Sequence, residues 1–133
     1  VGSSNHLAGA LFASAAGIEL THVSYRGAAP AMTALYAGEI DMVFSSTVET
    51  LPHVQAGRAR LLGVATPRRI PALPEAPAIA EILPGYAALN WYAIAAPRGL
   101  PPAIVARLAA TLGTLRDLPD IRARFAAAGT VPL

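Results

Sequence analysis

The stretch Val23-Ser24-Tyr25-Arg26-Gly27-Ala28-Ala29-Pro30-Ala31-Met32 has the pattern of a strand end, a glycine loop and a helix start. Pro30 suits the first turn of a helix because it has no N–H to lose and its φ is already helical. Gly27 allows a sharp turn and leaves no side chain in front of the backbone. The pattern predicts free N–H groups at the positive end of a helix dipole, where anions such as carboxylates bind. An ordinary strand-to-helix connection has the same pattern.

The composition indicates a packed globular protein of one domain or slightly more. Of the 133 residues, 54% are hydrophobic and 14% charged, which argues against disorder. The net charge is +2 and the ten basic residues are scattered arginines, so no basic stripe for nucleic acid is present. Without cysteine, disulfides and thiolate chemistry are excluded. No signal peptide or membrane-spanning stretch is expected within these residues, which leaves the cellular compartment open.

Helices and strands alternate in the first half of the predicted structure. Helices are expected at 5–16, 30–37 and after Ser46, and strands at 20–25, 42–44 and 60–66. Ser46 and Glu49 form the S-x-x-E pattern of a capping box, whereas Pro52 favours a helix start nearer Thr50. The first helix has an apolar face, made of Leu7, Ala8, Leu11, Phe12 and Ala15. The alternation predicts an α/β fold, with a mostly parallel sheet flanked by helices.

The second half departs from this alternation. Five prolines within 67–84 predict an extended connector, with one helical turn near 78–81. A strand at 90–96 and helices at 101–115 and 120–128 should follow. Four apolar side chains of the first of these helices are expected to face inward, namely Ile104, Val105, Leu108 and Leu112. Trp91 and Tyr92 are expected first in a core, with the wall of a cleft or an interface as the alternatives. The predicted division is a lobe of residues 1–88, which includes the connector 67–88, and a C-terminal strand-and-helix segment of residues 89–133.

Three predicted loops precede helices and are rich in small or hydroxyl residues. In an open α/β sheet such loops gather at the carboxyl ends of the strands, where ligands bind. None of the three contains an acidic residue, so they would present N–H and O–H donors to a small anion, with Arg26 as a direct countercharge or a solvated side chain. Hydroxyl caps that serve stability alone have the same composition. The candidate ligand-binding residues are Ser3, Ser4, Asn5, His6, Tyr25, Arg26, Gly27, Ala28, Ala29, Ser45, Ser46 and Thr47.

Other chemistry has weaker support in the sequence. His6, His22 and His53 lack the close spacing of metal ligands, so no metal or cofactor is expected. Ser45, His53 and Asp41 could form a hydrolytic triad, but no G-x-S-x-G elbow accompanies them. A small hydrolase using Ser45 or Ser46 remains the least favoured alternative.

Several stretches resemble the substrate-binding receptors of tripartite tricarboxylate transporters, the Bug-type receptors. The first are SNHLAGALF at 4–12, HVSYRGAAPA at 22–31, GEIDMVF at 38–44 and LPHVQAG at 51–57. Others are PALPEAP at 71–77, LPGY at 83–86, AAPRGLP at 95–101 and PDIR at 119–122. The likeness covers nearly the whole chain, in order and with similar spacing.

The resemblance implies a periplasmic, non-enzymatic receptor whose two α/β lobes close on a small di- or tricarboxylate or acidic amino acid. It implies one lobe of a type II periplasmic-binding-protein-like fold, with loops 2–6 and 25–29 holding carboxylates partly through water, and membrane transporter subunits as partners. Ser45 departs from the family, which often has an acidic residue after this phenylalanine.

Length is the larger departure from the family, because members are roughly twice as long, in the range where chains form two domains. The resemblance therefore implies the second lobe and a returning segment from about Asn90, whose apolar faces would be left without their usual partner. We expect these faces to pack against a second copy of the chain and form a homodimer. The alternative is a truncated receptor that acts as a protein-association module without a transport role.

Overall fold

A computed structural model describes residues 1–130 of the chain. The chain divides into two compact units, Val1–Asn90 and Trp91–Leu133. The helices of the first unit are α1 (Ser4–Ala16), α2 (Ala28–Ala37) and α3 (Thr47–Gln55), followed by a 3-10 turn at Ile79–Glu81. The second unit contains α4 (Pro102–Asp117) and α5 (Pro119–Ala127).

The predicted helices are confirmed because their end signals are local. Ser3 caps α1, and Gly17 ends it in the left-handed conformation with a φ of 65°. Gly38 ends α2 in the same way with a φ of 72°. Helix α2 begins earlier than predicted, at Ala28, so that Pro30 occupies a later position of the first turn.

Helix α3 corrects the inference drawn from Pro52. The helix begins at Thr47 and contains Pro52 in its interior. Pro52 lacks the N–H that would bond to the Val48 carbonyl, so the helix loses one hydrogen bond there. The predicted capping box between Ser46 and Glu49 is present, and it stabilises the early start by satisfying groups at the helix N-terminus.

The predicted parallel sheet is not formed among residues 1–130. The one β pairing in this part of the chain is an isolated parallel bridge between Val64 and Ala78. The Val64 N–H donates to the Pro77 carbonyl at 2.9 Å, and the Ile79 N–H donates to the Val64 carbonyl at 3.0 Å. The segments 20–25, 42–44 and 90–96 contain no assigned strand. A strand requires a ladder of hydrogen bonds to a neighbour, and local sequence does not supply that neighbour.

The core of the first unit is built mainly from small side chains. Its buried residues are Ala8, Ala31, Met32, Ala34, Leu51, Val64, Ala76, Ala78 and Tyr86. The Phe12 ring lies 5.6 Å from Phe44 and 6.1 Å from Tyr86, centroid to centroid. Only part of the predicted face of α1 is covered, because Leu7 and Leu11 are exposed while Ala8 is buried.

The connector is fixed by an ion pair between exposed side chains. Arg69 Nε and Nη2 bond to the two carboxylate oxygens of Glu81, both at 2.8 Å. Arg69 Nη1 also donates to the Pro74 carbonyl at 3.2 Å. These contacts hold the two ends of the proline-rich stretch together.

The second unit does not bury the side chains expected to face a core. Trp91 is 72% exposed and Tyr92 82%, so the prediction of core positions for them was wrong. Ile104, Val105, Leu108 and Leu112 of α4 are 40% to 49% exposed. Two helices and an extended segment have too little surface to enclose a core of their own.

Within residues 1–130, none of the helices combines the length and the apolar character needed to cross a bilayer.

Candidate ligand-binding site

The start of α1 offers backbone N–H groups within a stretch, residues 1–18, that contains no acidic residue. Ser3 Oγ accepts a hydrogen bond from the His6 N–H at 3.4 Å, while the Gly2 N–H donates to His6 Nδ1 at 3.2 Å. The N–H groups of Ser4 and Asn5 precede the first intrahelical bond, so the helix provides no acceptor for them. These groups can bind an anion at the positive end of the helix dipole.

The start of α2 is more open. Gly27 precedes the helix with a φ of 106°, and no side chain caps the helix. The N–H groups of Ala28 and Ala29 therefore have no acceptor among residues 1–130, and Pro30 has no N–H. A Cβ added to Gly27 would meet nothing within 4 Å, so the approach to these amides is unobstructed.

Arg26 is the charged residue nearest in sequence to the N-terminus of α2. Glu19 is the one acidic residue before Glu39 in the sequence. Arg26 is exposed and forms no ion pair or hydrogen bond within residues 1–130. Tyr25, next to it, is partly buried. A cation beside free amides is suited to a carboxylate.

The start of α3 differs because the hydroxyls of Ser45 and Ser46 are already hydrogen-bonded within the protein. Ser45 Oγ and Ser46 Oγ both donate to Glu49 Oε2 at 2.9 Å, and the Ser46 N–H donates to the same oxygen at 3.3 Å. Burial raises the pKa of the Glu49 carboxyl, but the hydrogen bonds from Ser46 and Ser45 outweigh it, so the pKa lies below its ordinary value. Although the loop before Thr47 contains no acid, a carboxylate from the first turn folds back onto it. The S-x-x-E pattern was the sequence signal for this contact.

Side-chain contacts link α1 to the segments that lead to the other two helices. The centroids of the His6 and His22 rings lie 4.3 Å apart, and His22 belongs to the segment that leads from α1 to α2. Since a residue spans at most about 3.5 Å, the six residues from His22 to Ala28 place the start of α2 within about 20 Å of His22. Phe44, next to Ser45, packs on Phe12 of α1. The adjacency of His22 and His6 had no signal in the sequence.

The alternative hydrolytic and metal sites are not assembled among residues 1–130. The Ser45 hydroxyl bonds to Glu49, and the His53 ring packs on Tyr36 at 5.6 Å. Ser45 and His53 thus form no hydrogen bond in this part of the chain. Nor do three or more potential metal ligands cluster there. An open depression lies beside Leu35, Tyr36 and Arg58, towards the opposite end of α2 from Gly27.

Comparison with known proteins identifies the family. The family model of the tripartite tricarboxylate transporter family receptor matches residues 1–133, so the chain belongs to this family of receptors. A curated relative from Pseudomonas sp. strain P51, a UPF0065 protein of the tcbD-tcbE intergenic region, is 44% identical over 123 residues. That match covers 91% of this chain and 37% of the relative.

Two solved structures from Rhodopseudomonas palustris are similar over nearly the whole chain. Rpa4515, solved with adipate, is 34% identical with a TM-score of 0.93, and the match covers 98% of this chain and 44% of Rpa4515. MatC (Rpa3494), solved with bound malate, is 28% identical with a TM-score of 0.81, and the match covers 98% of this chain and 45% of MatC. The chain spans less than half the length of these three relatives.

Proposed function

We propose that this chain binds small organic anions, dicarboxylates in particular, as part of the solute receptor of a tripartite tricarboxylate-type transporter. The observation that carries the proposal is the uncapped N-terminus of α2, where the amides of Ala28 and Ala29 closely follow Arg26 in the chain. A carboxylate satisfies such amides and is favoured by the helix dipole.

A ligand with two carboxylates fits the presence of two helix starts. The His6–His22 contact joins the first turn of α1 to the segment that leads to α2, which limits the distance between the two sets of amides. Adipate and malate, the ligands of the two R. palustris proteins, are both dicarboxylates. The start of α3, with the Glu49 carboxylate, is a poorer place for an anion and is suited to a hydroxyl or amino group of the ligand.

The same proposal extends to the wider role of the protein. We assign ligand binding to residues 1–88 and the role of a C-terminal returning segment to residues 89–133. The receptor would act in the periplasm and deliver its ligand to membrane transporter subunits. Because this chain spans less than half the length of its relatives, it would supply one side of a cleft, and we expect millimolar affinity of the isolated chain.

The experiment is calorimetric titration with adipate, malate and citrate, on the natural chain and on two matched variants. Gly27 and Gly38 flank α2, both have a positive φ, and a Cβ at either meets nothing within 4 Å. Gly27→Val and Gly38→Val both place a β-branched residue at a positive φ, but only the first places a side chain in front of the amides. We expect binding to be lost in Gly27→Val and kept in Gly38→Val. Equal binding by both variants, or no acid bound by the natural chain, would contradict the proposal.

A second candidate function, association with another copy of the chain, is favoured by the exposed apolar side chains of the second unit. Trp91 and Ile94 are more than two-thirds exposed, and an exposed apolar patch of this kind favours contact with another chain. A net charge of only +2 provides little repulsion between copies. Light scattering after size-exclusion chromatography should show a dimer, whereas a monomer at every concentration would rule this out.

A further inference from the structure

Four apolar side chains form a stripe along one face of α4. The members of this α4 stripe are Val105, Leu108, Leu112 and Leu115, at intervals of three, four and three residues. Each of the four is between 40% and 49% exposed. Intervals of three and four residues place side chains on the seam between two paired helices. The spacing therefore suits the α4 stripe to pack against another helix.

The second unit does not itself cover the α4 stripe. Neither α4 nor α5 contains a buried residue. The face of α4 opposite the stripe contains Arg107 and Thr114, which are suited to water. A helix of this length is only marginally stable alone, because most of the stability of a protein helix comes from packing of its apolar face. A partner that covers the stripe would therefore stabilise α4.

The chain exposes enough surface for a stable interface. Its accessible surface is 9850 Å² at a mass of 13.6 kDa, whereas a folded monomer of this mass exposes about 6600 Å². The difference is several times the about 800 Å² that each partner buries in a stable complex of standard size. Contact between two copies through the α4 stripe uses only part of this surface.

The charges of α4 favour an antiparallel contact between two copies. At the C-terminal end of the helix, Arg116 and Arg122 both pair with Asp117, at 3.3 Å and 3.2 Å, which leaves an excess positive charge. Parallel pairing of two α4 helices would bring two such clusters together and align the helix dipoles, and both effects are unfavourable. Antiparallel pairing places each cluster beside residues 101–106 of the other copy, which carry no charged side chain.

We propose that the α4 stripe packs antiparallel against the α4 stripe of a second copy of this chain. Leu108 of one copy then meets Leu112 of the other, and Val105 meets Leu115. A two-fold axis makes each of these contacts occur twice. The inference rests on the proposed association of two copies, and it names the surface that forms the contact and the orientation of the helices.

Two matched charge substitutions test the surface. Leu108→Glu places a carboxylate within the stripe, whereas Ala110→Glu places one on the opposite face of the same helix. Light scattering after size-exclusion chromatography, at several concentrations, measures the mass. We expect dimers for the natural chain and Ala110→Glu, and a monomer for Leu108→Glu. Dimers of both variants would overturn the role of the stripe and leave the association of copies standing. A natural chain that is monomeric at every concentration would overturn both.

Cysteine cross-linking tests the orientation without a charge in the interface. The natural chain contains no cysteine, so introduced thiols report only the chosen contact. With diamide as oxidant, a mixture of Val105→Cys and Leu115→Cys chains should form a disulfide between the two. In Leu115→Cys alone, the thiols of an antiparallel pair lie about ten residues, or about 15 Å, apart along the helices, which is too far for a disulfide.

Two results of the cross-linking experiment would overturn the inference. A disulfide that forms in Leu115→Cys alone as readily as in the mixture would indicate parallel helices. A dimer of the mixed chains that forms no disulfide would show that the α4 stripe is not the interface, while the association of copies would stand.

Discussion

The Tyr86 hydroxyl donates a hydrogen bond to the Ala8 carbonyl at 3.0 Å, joining residues 78 positions apart in the chain. Tyr86 is only 3% exposed and packs edge-on against Phe12. The contact fixes the middle of α1 to the end of the connector. It thereby helps to hold the start of α1 where the proposed site needs it.

Replacing Tyr86 by phenylalanine should test the strength of this link. The variant keeps the ring but loses the hydrogen bond, so the free energy of unfolding should fall by about 0.5–1.5 kcal/mol. Urea denaturation measures the change. Tyr36→Phe is the control, because the Tyr36 hydroxyl forms no hydrogen bond within residues 1–130 and its ring is exposed. Equal effects of the two substitutions would show that the Tyr86 hydroxyl contributes nothing specific.

Removal of the Ser46 side chain should destabilise the start of α3. Ser46→Ala abolishes the hydroxyl of the capping box, and such caps contribute about 0.5–2 kcal/mol. Thermal unfolding followed by circular dichroism measures the loss. Ser24→Ala provides the comparison, since Ser24 is exposed and makes no hydrogen bond in the described part of the chain. A melting temperature unchanged from that of Ser24→Ala would argue against the capping box.

The Arg69–Glu81 pair predicts a dependence of stability on acid pH. The hydrogen bond from Arg69, followed by that from the Ala78 N–H, lowers the pKa of Glu81 from 4.5 to about 2. Because the folded-state pKa is lowered, the stabilisation is fully present above pH 4.5 and is lost as the pH falls towards 2. In Glu81→Gln the melting temperature should fall less over this range than in the natural chain. Parallel curves of melting temperature against pH for the two proteins would contradict the prediction. Added salt should reduce the difference between the two curves, because the Arg69 and Glu81 side chains are both exposed.

Arg26 should contribute to anion affinity through a local contact. Arg26→Ala should weaken binding of adipate by about 1–3 kcal/mol if the guanidinium touches a carboxylate. Arg58→Ala removes the same charge beside the depression near Leu35, towards the other end of α2, and should change affinity little. Calorimetry on both variants makes the comparison. A similar loss of adipate affinity in the two variants would indicate a general effect of charge and no direct contact between Arg26 and the ligand.

The helix ends were predictable because their signals are local. Ser3 and Gly17 around α1, Gly38 after α2, and the Ser46–Glu49 box are each contained within a few residues. A cap depends on residues next to the helix end, so the local sequence alone determines where the helix begins or ends.

The features that could not be predicted depend on neighbours distant in the chain. The segment 20–25 has the residues of a strand, but a sheet also requires a partner backbone. Trp91 has the character of a core residue, but burial requires a surface to cover it. The approach of His22 to His6 follows from the path of the chain between α1 and α2.

The central claim is that backbone amides at the starts of α2 and α1 receive the carboxylates of the ligand. Amide-resolved NMR titration of the natural chain with adipate tests it most directly. We predict saturable shifts that are largest at the amides of Ala28, Ala29, Ser4 and Asn5. Saturable shifts confined to Leu35, Tyr36 and Arg58, or no shift at any of these amides, would contradict the claim.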